Sequence, residues 1–235
     1  GVYGKLLAGA GCAVFEARAT LVDPHTVQVG DRRVTAERIV IAVGGRPVRP
    51  EVPGAELGMV SDDVFALKEL PRRLAVVGSG YIGLEFGCVF HGLGSEVDIV
   101  YRNELPLRGF DNDIRAALKE ALAAQGIRQH APRQLARLDR AGNGVLVTLD
   151  DGSRIEADAV LIAVGRTPNT DRLDPAAAGL DVTDGGVLAS DQHQRALSDG
   201  APVEGVYVLG DVANTWQLKH VANHEARVVA HNLEH

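Results

Sequence analysis

The sequence has few cysteines, few aromatic residues and no long hydrophobic run. Its 235 residues include two cysteines, Cys12 and Cys88, which excludes a disulfide framework or a four-cysteine zinc site and favours a reducing, cytoplasmic setting. Aromatic residues make up 4% of the chain, too few for a base-stacking surface. No apolar run approaches the roughly 18 residues of a membrane span, and the first residues lack a signal-peptide pattern. No membrane partner is therefore expected.

The chain also has fewer positively charged residues than negatively charged ones, 24 against 31. The formal net charge is −7 and the isoelectric point about 5.6, which argues against nucleic acid as a partner. Hydrophobic residues account for 46% and charged residues for 23%, the balance of a globular protein with a real core. Strand-like apolar runs alternate with glycine turns and helical stretches, which is typical of an α/β fold. We identify no metal-ligating pattern.

The predicted elements form three blocks, and a proline-rich stretch over residues 46–54 favours a domain boundary after the first. Asp111 is a candidate N-cap and Gly126 a helix stop. The first block contains predicted strands at 13–21, 26–29 and 38–43. The second contains a strand at 74–77, a helix to about 91, a strand at 97–101, a helix at 111–124, a hairpin at 145–149 and 154–156, and a strand at 159–164. The third contains a strand at 206–209 and a helix from about 218 to 233.

A glycine loop between the strand at 74–77 and the following helix fits the GxGxxG dinucleotide fingerprint. The first glycine permits a tight turn, the second lets the backbone approach a pyrophosphate, and the third allows close contact between helix and strand. The pyrophosphate would then lie at the helix N-terminus, which favours anions. The alternative is a glycine turn without a ligand. The loop comprises Gly78, Ser79, Gly80, Tyr81, Ile82 and Gly83.

Two arginines follow the second strand of this block, where the coenzyme is selected. Arg102 and Arg108 lie six residues apart and could clamp a 2′-phosphate, which predicts NADPH over NADH. Glu104 lies between them but beyond the strand end, so it is not interpreted as the carboxylate of an NAD site. Solvated surface charge is the alternative interpretation of the two arginines.

Four segments in this order resemble the flavoprotein disulfide reductases, which include glutathione, mycothione and mercuric reductases. They read RIVIAVGGRP at 38–47, GSGYIGLE at 78–85, AVLIAVGRTPN at 159–169 and VYVLGD at 206–211. Residues 101–111 resemble glutathione reductases, and residues 217–229 resemble mycothione reductases. The resemblance implies a Rossmann-like NAD(P)-binding domain at 47–165, inserted in a partial FAD-binding domain formed by 1–46 and 166–235 with three β/β/α layers.

The resemblance also implies cofactor-binding roles. Tyr81 resembles an aromatic gate over the flavin, although an ordinary half-buried tyrosine is the alternative. Asp211 would accept a hydrogen bond from the ribityl chain, although a solvated turn aspartate is the alternative. Lys219 begins a helix whose N-terminus would point at the flavin. The implied NADPH contacts are residues 78–83, Glu85, Arg102, Arg108 and Gly165; the implied FAD contacts are Ala19, Asp211 and Lys219.

The implied activity is FAD-dependent transfer of reducing equivalents from NADPH to a low-molecular-weight disulfide, in a homodimer of the full-length protein. This chain lacks the redox-active CxxxxC, the first FAD fingerprint and the C-terminal domain of that family. It is therefore expected to be the middle of a longer protein, without a catalytic residue and unable to reduce a disulfide alone. Cys88 is interpreted as a core residue of its helix. The alternatives are an NAD-linked dihydrolipoamide dehydrogenase or a non-catalytic nucleotide-binding module.

Overall fold

The structure is a computed structural model that describes residues 1–234. Two compact units make up the chain. The inserted unit is continuous, Pro47–Arg166, whereas the discontinuous unit combines Gly1–Arg46 with the residues from Thr167 onward. Helices and strands occur in both units, so the α/β fold class predicted from the sequence is confirmed.

Five α-helices and fifteen strands occur among residues 1–234. The helices are α1 (Val2–Gly9), α2 (Ser61–Val64), α3 (Tyr81–Gly92), α4 (Asn112–Ala124) and α5 (Lys219–Glu234). The strands are β1 (Ala19–Asp23), β2 (Thr26–Val29), β3 (Arg32–Thr35), β4 (Ile39–Ile41), β5 (Gly45–Pro47), β6 (Arg73–Val77), β7 (Glu96–Val100), β8 (Arg128–His130), β9 (Leu135–Ala141), β10 (Gly144–Leu149), β11 (Arg154–Ala157), β12 (Ala159–Ile162), β13 (Arg166–Pro168), β14 (Arg195–Ser198) and β15 (Ala201–Val208).

A four-stranded parallel sheet lies at the centre of the inserted unit, in the order β12-β6-β7-β8. Its central strands are buried along almost their whole length, which explains their continuous apolar sequence. Because the strands are parallel, the loops after β6, β7 and β12 leave from the same edge of the sheet. In open α/β sheets ligands bind at this edge.

The inserted unit has three layers, and this sheet is the middle one. One face packs against the antiparallel meander β9-β10-β11, with a core that includes Val77, Val100 and Val147. The other face packs against α3 and α4 through residues such as Leu84 and Leu122. Alternate residues of β6 and β7 point to opposite faces, so both cores draw on the same strands. Helix α4 begins as the sequence predicts, because the Asp111 side chain accepts a hydrogen bond from the Asp113 amide at 2.9 Å.

The discontinuous unit contains two three-stranded sheets. Strands β1, β2 and β3 form an antiparallel sheet, and β15 pairs with both β14 and β4, in parallel with the latter. Its core joins residues from both ends of the chain, among them Leu21, Ile41 and Val208. Helix α5 packs on the short turn that follows β15.

The two segments that connect the units pair with one another as β5 and β13. In the discontinuous unit, Arg46 donates two hydrogen bonds of 2.8 Å to the Asp171 carboxylate and one of 3.0 Å to Asn169. The hydrogen bonds from Arg46 hold the pKa of Asp171 below its usual value. The two segments through which the chain passes from one unit to the other are therefore joined by side-chain hydrogen bonds as well as by backbone pairing.

Several boundaries differ from the sequence prediction. The strand expected over residues 13–21 begins only at Ala19, because the described chain offers residues 13–17 no neighbouring strand. Strand β15 begins at Ala201, earlier than predicted, and a proline-containing strand, β5, falls in the predicted link. Helix α1 was not predicted, and it buries none of its residues. Among residues 1–234, no helix combines the length and apolar character needed to cross a bilayer.

Candidate functional site

The glycine loop lies at the carboxyl edge of the parallel sheet, between β6 and α3. The Gly78 amide donates a hydrogen bond of 2.9 Å to the Val100 carbonyl, which fixes the loop to the neighbouring strand. Gly78 has a φ of 114°, and a Cβ there would lie 2.7 Å from the carbonyl carbon of Ala163. Glycine is therefore required at this position by both conformation and space.

The other two glycines of the loop have opposite surroundings. A Cβ on Gly83 would collide with the Gly78 carbonyl oxygen and lie 3.2 Å from a methyl of Val76, so this glycine lets α3 approach β6. A Cβ on Gly80 would meet nothing within 4 Å. Packing therefore explains the glycine at position 83 but not the glycine at position 80. Open space over a backbone at a helix start is what a bound pyrophosphate needs.

Helix α3 presents its first turn to that open space. Its first intrahelical hydrogen bond runs from the Leu84 amide to the Gly80 carbonyl at 3.0 Å. The amides of Ile82 and Gly83 come before it and have no acceptor within the helix. Together with the helix dipole, they favour an anion at this position. The glycine loop of residues 78–83 therefore fits the diphosphate of a dinucleotide.

The loop between β7 and α4 lies directly against the glycine loop. The Leu107 amide donates a hydrogen bond of 2.8 Å to the Ser79 carbonyl, so Arg108 follows a residue bonded to the glycine loop. Arg102 leaves the end of β7, two residues after Val100. Both arginines are exposed, and neither guanidinium has a hydrogen bond or ion pair within residues 1–234. The structure brings two unneutralised cations to the edge that holds the glycine loop.

The remaining predicted residues of the inserted unit lie around the same edge. Gly165 follows β12 with a φ of 144°, and a Cβ there would meet nothing. Its carbonyl accepts a hydrogen bond of 2.9 Å from the Val48 amide. Tyr81 and Ile82 are half-buried in the first turn of α3, whereas Glu85 is exposed one turn later.

The interpretation of Cys88 as a core residue is wrong for this chain, since its side chain is exposed. The buried face of α3 carries Gly83, Leu84, Gly87 and Phe90. Cys88 lies outside that stripe, and its partial burial still raises the pKa of its thiol. The spacing of the glycines, which sets the inward face of the helix, was the signal that could have placed it correctly. Cys12 is exposed as well.

The predicted FAD contacts lie in the discontinuous unit, at the ends of three elements. Ala19 is the exposed first residue of β1, Asp211 lies half-buried in the short turn after β15, and Lys219 is the exposed first residue of α5. Gly45 lies beside Asp211, because a Cβ on Gly45 would be 3.5 Å from the Asp211 Cβ. The predicted sites for the two cofactors thus fall on separate units. Within residues 1–234 no group of three or more potential ligands is placed to hold a metal ion.

Sequence reasoning missed a buried carboxylate that holds the turn containing Asp211. Glu225, on α5, accepts a hydrogen bond of 2.7 Å from the Gly210 amide and bonds of 2.9 and 3.0 Å from the Asn214 side chain. Its residue is only 7% exposed. An acidic residue in the apolar stripe of a helix was the available signal, since Val221 and Val229 lie one turn before and after it.

Two cations of α4 were also missed. Arg115 and Lys119 donate hydrogen bonds to backbone carbonyls of the loop that carries Arg102 and Arg108. Their spacing of four residues places them on one helix face, but no sequence pattern shows that they face backbone carbonyls.

Comparison with known proteins gives consistent matches over nearly the whole chain. Residues 3–226 match the family described as pyridine nucleotide-disulphide oxidoreductase. A glutathione reductase of Nostoc sp. is 40% identical over 233 residues, which cover 96% of this chain and 51% of that protein. A mycothione reductase of Mycobacterium tuberculosis is 43% identical over 205 residues, 85% of this chain and 42% of that protein.

Solved structures show the same similarity. The HOCl-induced flavoprotein disulfide reductase RclA from Escherichia coli matches with a TM-score of 0.86 and 28% identity, over 98% of this chain and 53% of that one. LpdA from Mycobacterium tuberculosis matches with a TM-score of 0.82. The chain spans about half the length of the curated relatives and structures that it matches.

Proposed function

The chain belongs to the pyridine nucleotide-disulphide oxidoreductase family, and from this premise we propose that its inserted unit binds NADPH. The observation that carries the proposal is the open space over Gly80, at the start of α3 and beside a loop with two unpaired arginines. Neither packing nor ion pairing among residues 1–234 accounts for these features, whereas a phosphorylated dinucleotide accounts for both.

In this proposal the diphosphate of NADPH lies on the first turn of α3, held by the amides of Ile82 and Gly83. Arg102 and Arg108 bind the 2′-phosphate through charge-assisted hydrogen bonds. Ser79 lines the same loop, and the backbone at Gly165 approaches the coenzyme where a side chain would obstruct it. Tyr81, in the first turn of α3, gates the nicotinamide end. When bound, NADPH supplies hydride.

We propose that the discontinuous unit contributes part of an FAD site. Asp211 accepts a hydrogen bond from a ribityl hydroxyl, and its turn is held for that purpose by Glu225. Ala19 contacts the adenine. Lys219 and the N-terminus of α5 place positive potential beside the flavin ring, which stabilises negative charge there. Glu85, exposed on α3 of the inserted unit, lines the NADPH site instead.

We propose that the complete protein is a cytoplasmic homodimer that reduces a low-molecular-weight disulfide, such as glutathione disulfide or mycothione. The relatives named for those two activities support this substrate class. We assign no catalytic role to either cysteine of this chain, because Cys12 and Cys88 do not have the CxxxxC spacing.

The proposal predicts that Arg102→Ala and Arg108→Ala each weaken NADPH binding and leave NADH binding almost unchanged. A hydrogen bond to a charged group contributes roughly 1.5–3 kcal/mol, so each variant should bind NADPH about 10 to 100 times more weakly. Titration calorimetry of the chain with both coenzymes measures the two affinities.

Arg140→Ala is the matched control, since it removes the same charge from an exposed arginine on β9. Its affinity for NADPH should equal that of the unsubstituted chain. Tighter binding of NADH than of NADPH by the unsubstituted chain would contradict the proposal and favour an NAD-linked enzyme of the dihydrolipoamide dehydrogenase kind.

A further inference from the structure

The arginine loop, residues 101–110, is attached along its backbone to helix α4. Arg115 donates hydrogen bonds from Nε to the Pro106 carbonyl at 2.7 Å and from Nη2 to the Leu105 carbonyl at 2.9 Å. Lys119 donates from Nζ to the Glu104 carbonyl at 3.0 Å. Three consecutive carbonyls between Arg102 and Arg108 are therefore bound by two cations one helical turn apart.

The same loop is held on its other side by the glycine loop. The Leu107 amide donates a hydrogen bond to the Ser79 carbonyl. Arg115 bonds the carbonyl of the residue just before it, Pro106, so two adjacent residues of the arginine loop are held from opposite sides. Leu107 has a φ of 53°, a left-handed conformation that is unfavourable for leucine and persists only where surrounding contacts impose it. The hydrogen bond that Leu107 donates to the Ser79 carbonyl and the one that Arg115 donates to the preceding carbonyl, of Pro106, supply such contacts.

The Arg115 guanidinium is itself held in place. Its Nη1 donates a hydrogen bond of 2.8 Å to the Asn112 side chain, and the residue is half-buried. All three nitrogens of the guanidinium thus have acceptors. A planar guanidinium can serve these diverging acceptors at once, whereas a lysine ammonium on a flexible stem cannot reproduce the fork.

We propose that Arg115 is a positioning residue that sets the spacing of Arg102 and Arg108 for a 2′-phosphate. The inference rests on the proposed NADPH site and deepens it, because Arg115 acts on coenzyme choice through the loop backbone. All of its guanidinium nitrogens are already used within the protein. A loop held in its binding conformation loses less conformational freedom when the phosphate binds, so the affinity for that phosphate rises.

The test compares adenosine 2′,5′-bisphosphate with adenosine 5′-monophosphate, which lacks the 2′-phosphate, as ligands of the 235-residue chain. We expect the unsubstituted chain to bind the bisphosphate at least about tenfold more tightly. In Arg115→Ala that ratio should fall about fivefold or more, while the affinity for the monophosphate changes less than about twofold. A merely structural role would weaken binding of both ligands.

Arg115→Lys keeps the positive charge and removes only the forked pair of hydrogen bonds to the two loop carbonyls. We expect its ratio to fall about threefold, because one ammonium cannot bond both carbonyls in the same geometry. Arg140→Ala should leave the ratio unchanged and so controls for charge at a distance. An unchanged ratio in Arg115→Lys overturns the inference even where Arg115→Ala fails to fold. If the unsubstituted chain does not prefer the bisphosphate, the proposed NADPH specificity itself fails.

Discussion

Replacing Gly78 or Gly83 by alanine should destabilise the inserted unit severely, whereas Gly80→Ala should leave its stability almost unchanged. At Gly78 a Cβ would collide with the Ala163 carbonyl, and the φ of 114° is unfavourable for any L-residue. At Gly83 it would collide with the Gly78 carbonyl. Overpacking costs about 1–3 kcal/mol and a left-handed residue roughly 1–2 kcal/mol, out of a total near 5–15 kcal/mol.

For Gly80→Ala we expect almost no change in stability but a large loss of NADPH affinity. Its φ of −73° is ordinary and a Cβ would meet nothing within 4 Å, so the free energy of unfolding should change by less than about 0.5 kcal/mol. The methyl group would occupy space that the diphosphate needs, so NADPH should bind at least about tenfold more weakly. Urea unfolding and NADPH titration of the three variants separate the two effects. Unchanged NADPH binding by a folded Gly80→Ala would show that no diphosphate lies on this backbone.

Asp98→Asn is expected to remove about 2 kcal/mol of stability at neutral pH. Asp98 lies on β7 with its side chain 6% exposed, and it accepts hydrogen bonds of 2.8 and 2.9 Å from Arg128 and of 2.8 Å from His130. Burial alone raises the pKa of this carboxyl, but the bonds from His130 and Arg128 outweigh it and lower the pKa to about 2. Because one pKa unit corresponds to about 1.4 kcal/mol, lowering the pKa from the usual value of 3.8 for an aspartate gives the expected loss.

The pH dependence follows from the lowered pKa. The folded state favours the ionised carboxylate, so its contribution is present above about pH 4 and is lost as the pH falls through 2. Asp98→Asn should therefore lie much nearer to the unsubstituted chain in stability at pH 2 than at pH 7, as measured by urea unfolding. Asp139→Asn removes a carboxylate from the exposed pair with Arg137 and should cost less than about 1 kcal/mol. An equal loss for Asp98→Asn at both pH values would contradict the linkage to ionisation.

The parts of the fold that sequence could predict are those determined by local chemistry. The run at 74–77, the glycines after it and the N-cap Asp111 each impose a conformation within a few residues, and strand β6 and helices α3 and α4 appear where predicted. The hairpin around residues 150–152 also follows from its turn residues and pairs as β10 and β11. These features needed no knowledge of distant contacts.

The missed features depend on contacts between distant parts of the chain. Strand β8 has three residues and a polar sequence, and it exists because β7 provides a parallel partner. Arg115 and Glu225 look like ordinary helix residues until their acceptors and donors are known. The error at Cys88 was of another kind, because a small residue on this helix was assumed to be packed in the core without finding which face of the helix the glycines occupy.

The pairing of β5 with β13 has a consequence for how the chain folds. Arg46 and Thr167 mark the two crossings, and the roughly 120 residues between them form one continuous unit. Bringing the ends of so long a loop together in an unfolded chain costs about 4 kcal/mol of entropy. Once the inserted unit has folded, its own hydrogen bonds have closed that loop, and β4 and β15 can meet without that cost. The connectivity therefore lowers the entropic cost of pairing β4 with β15 when the inserted unit folds first.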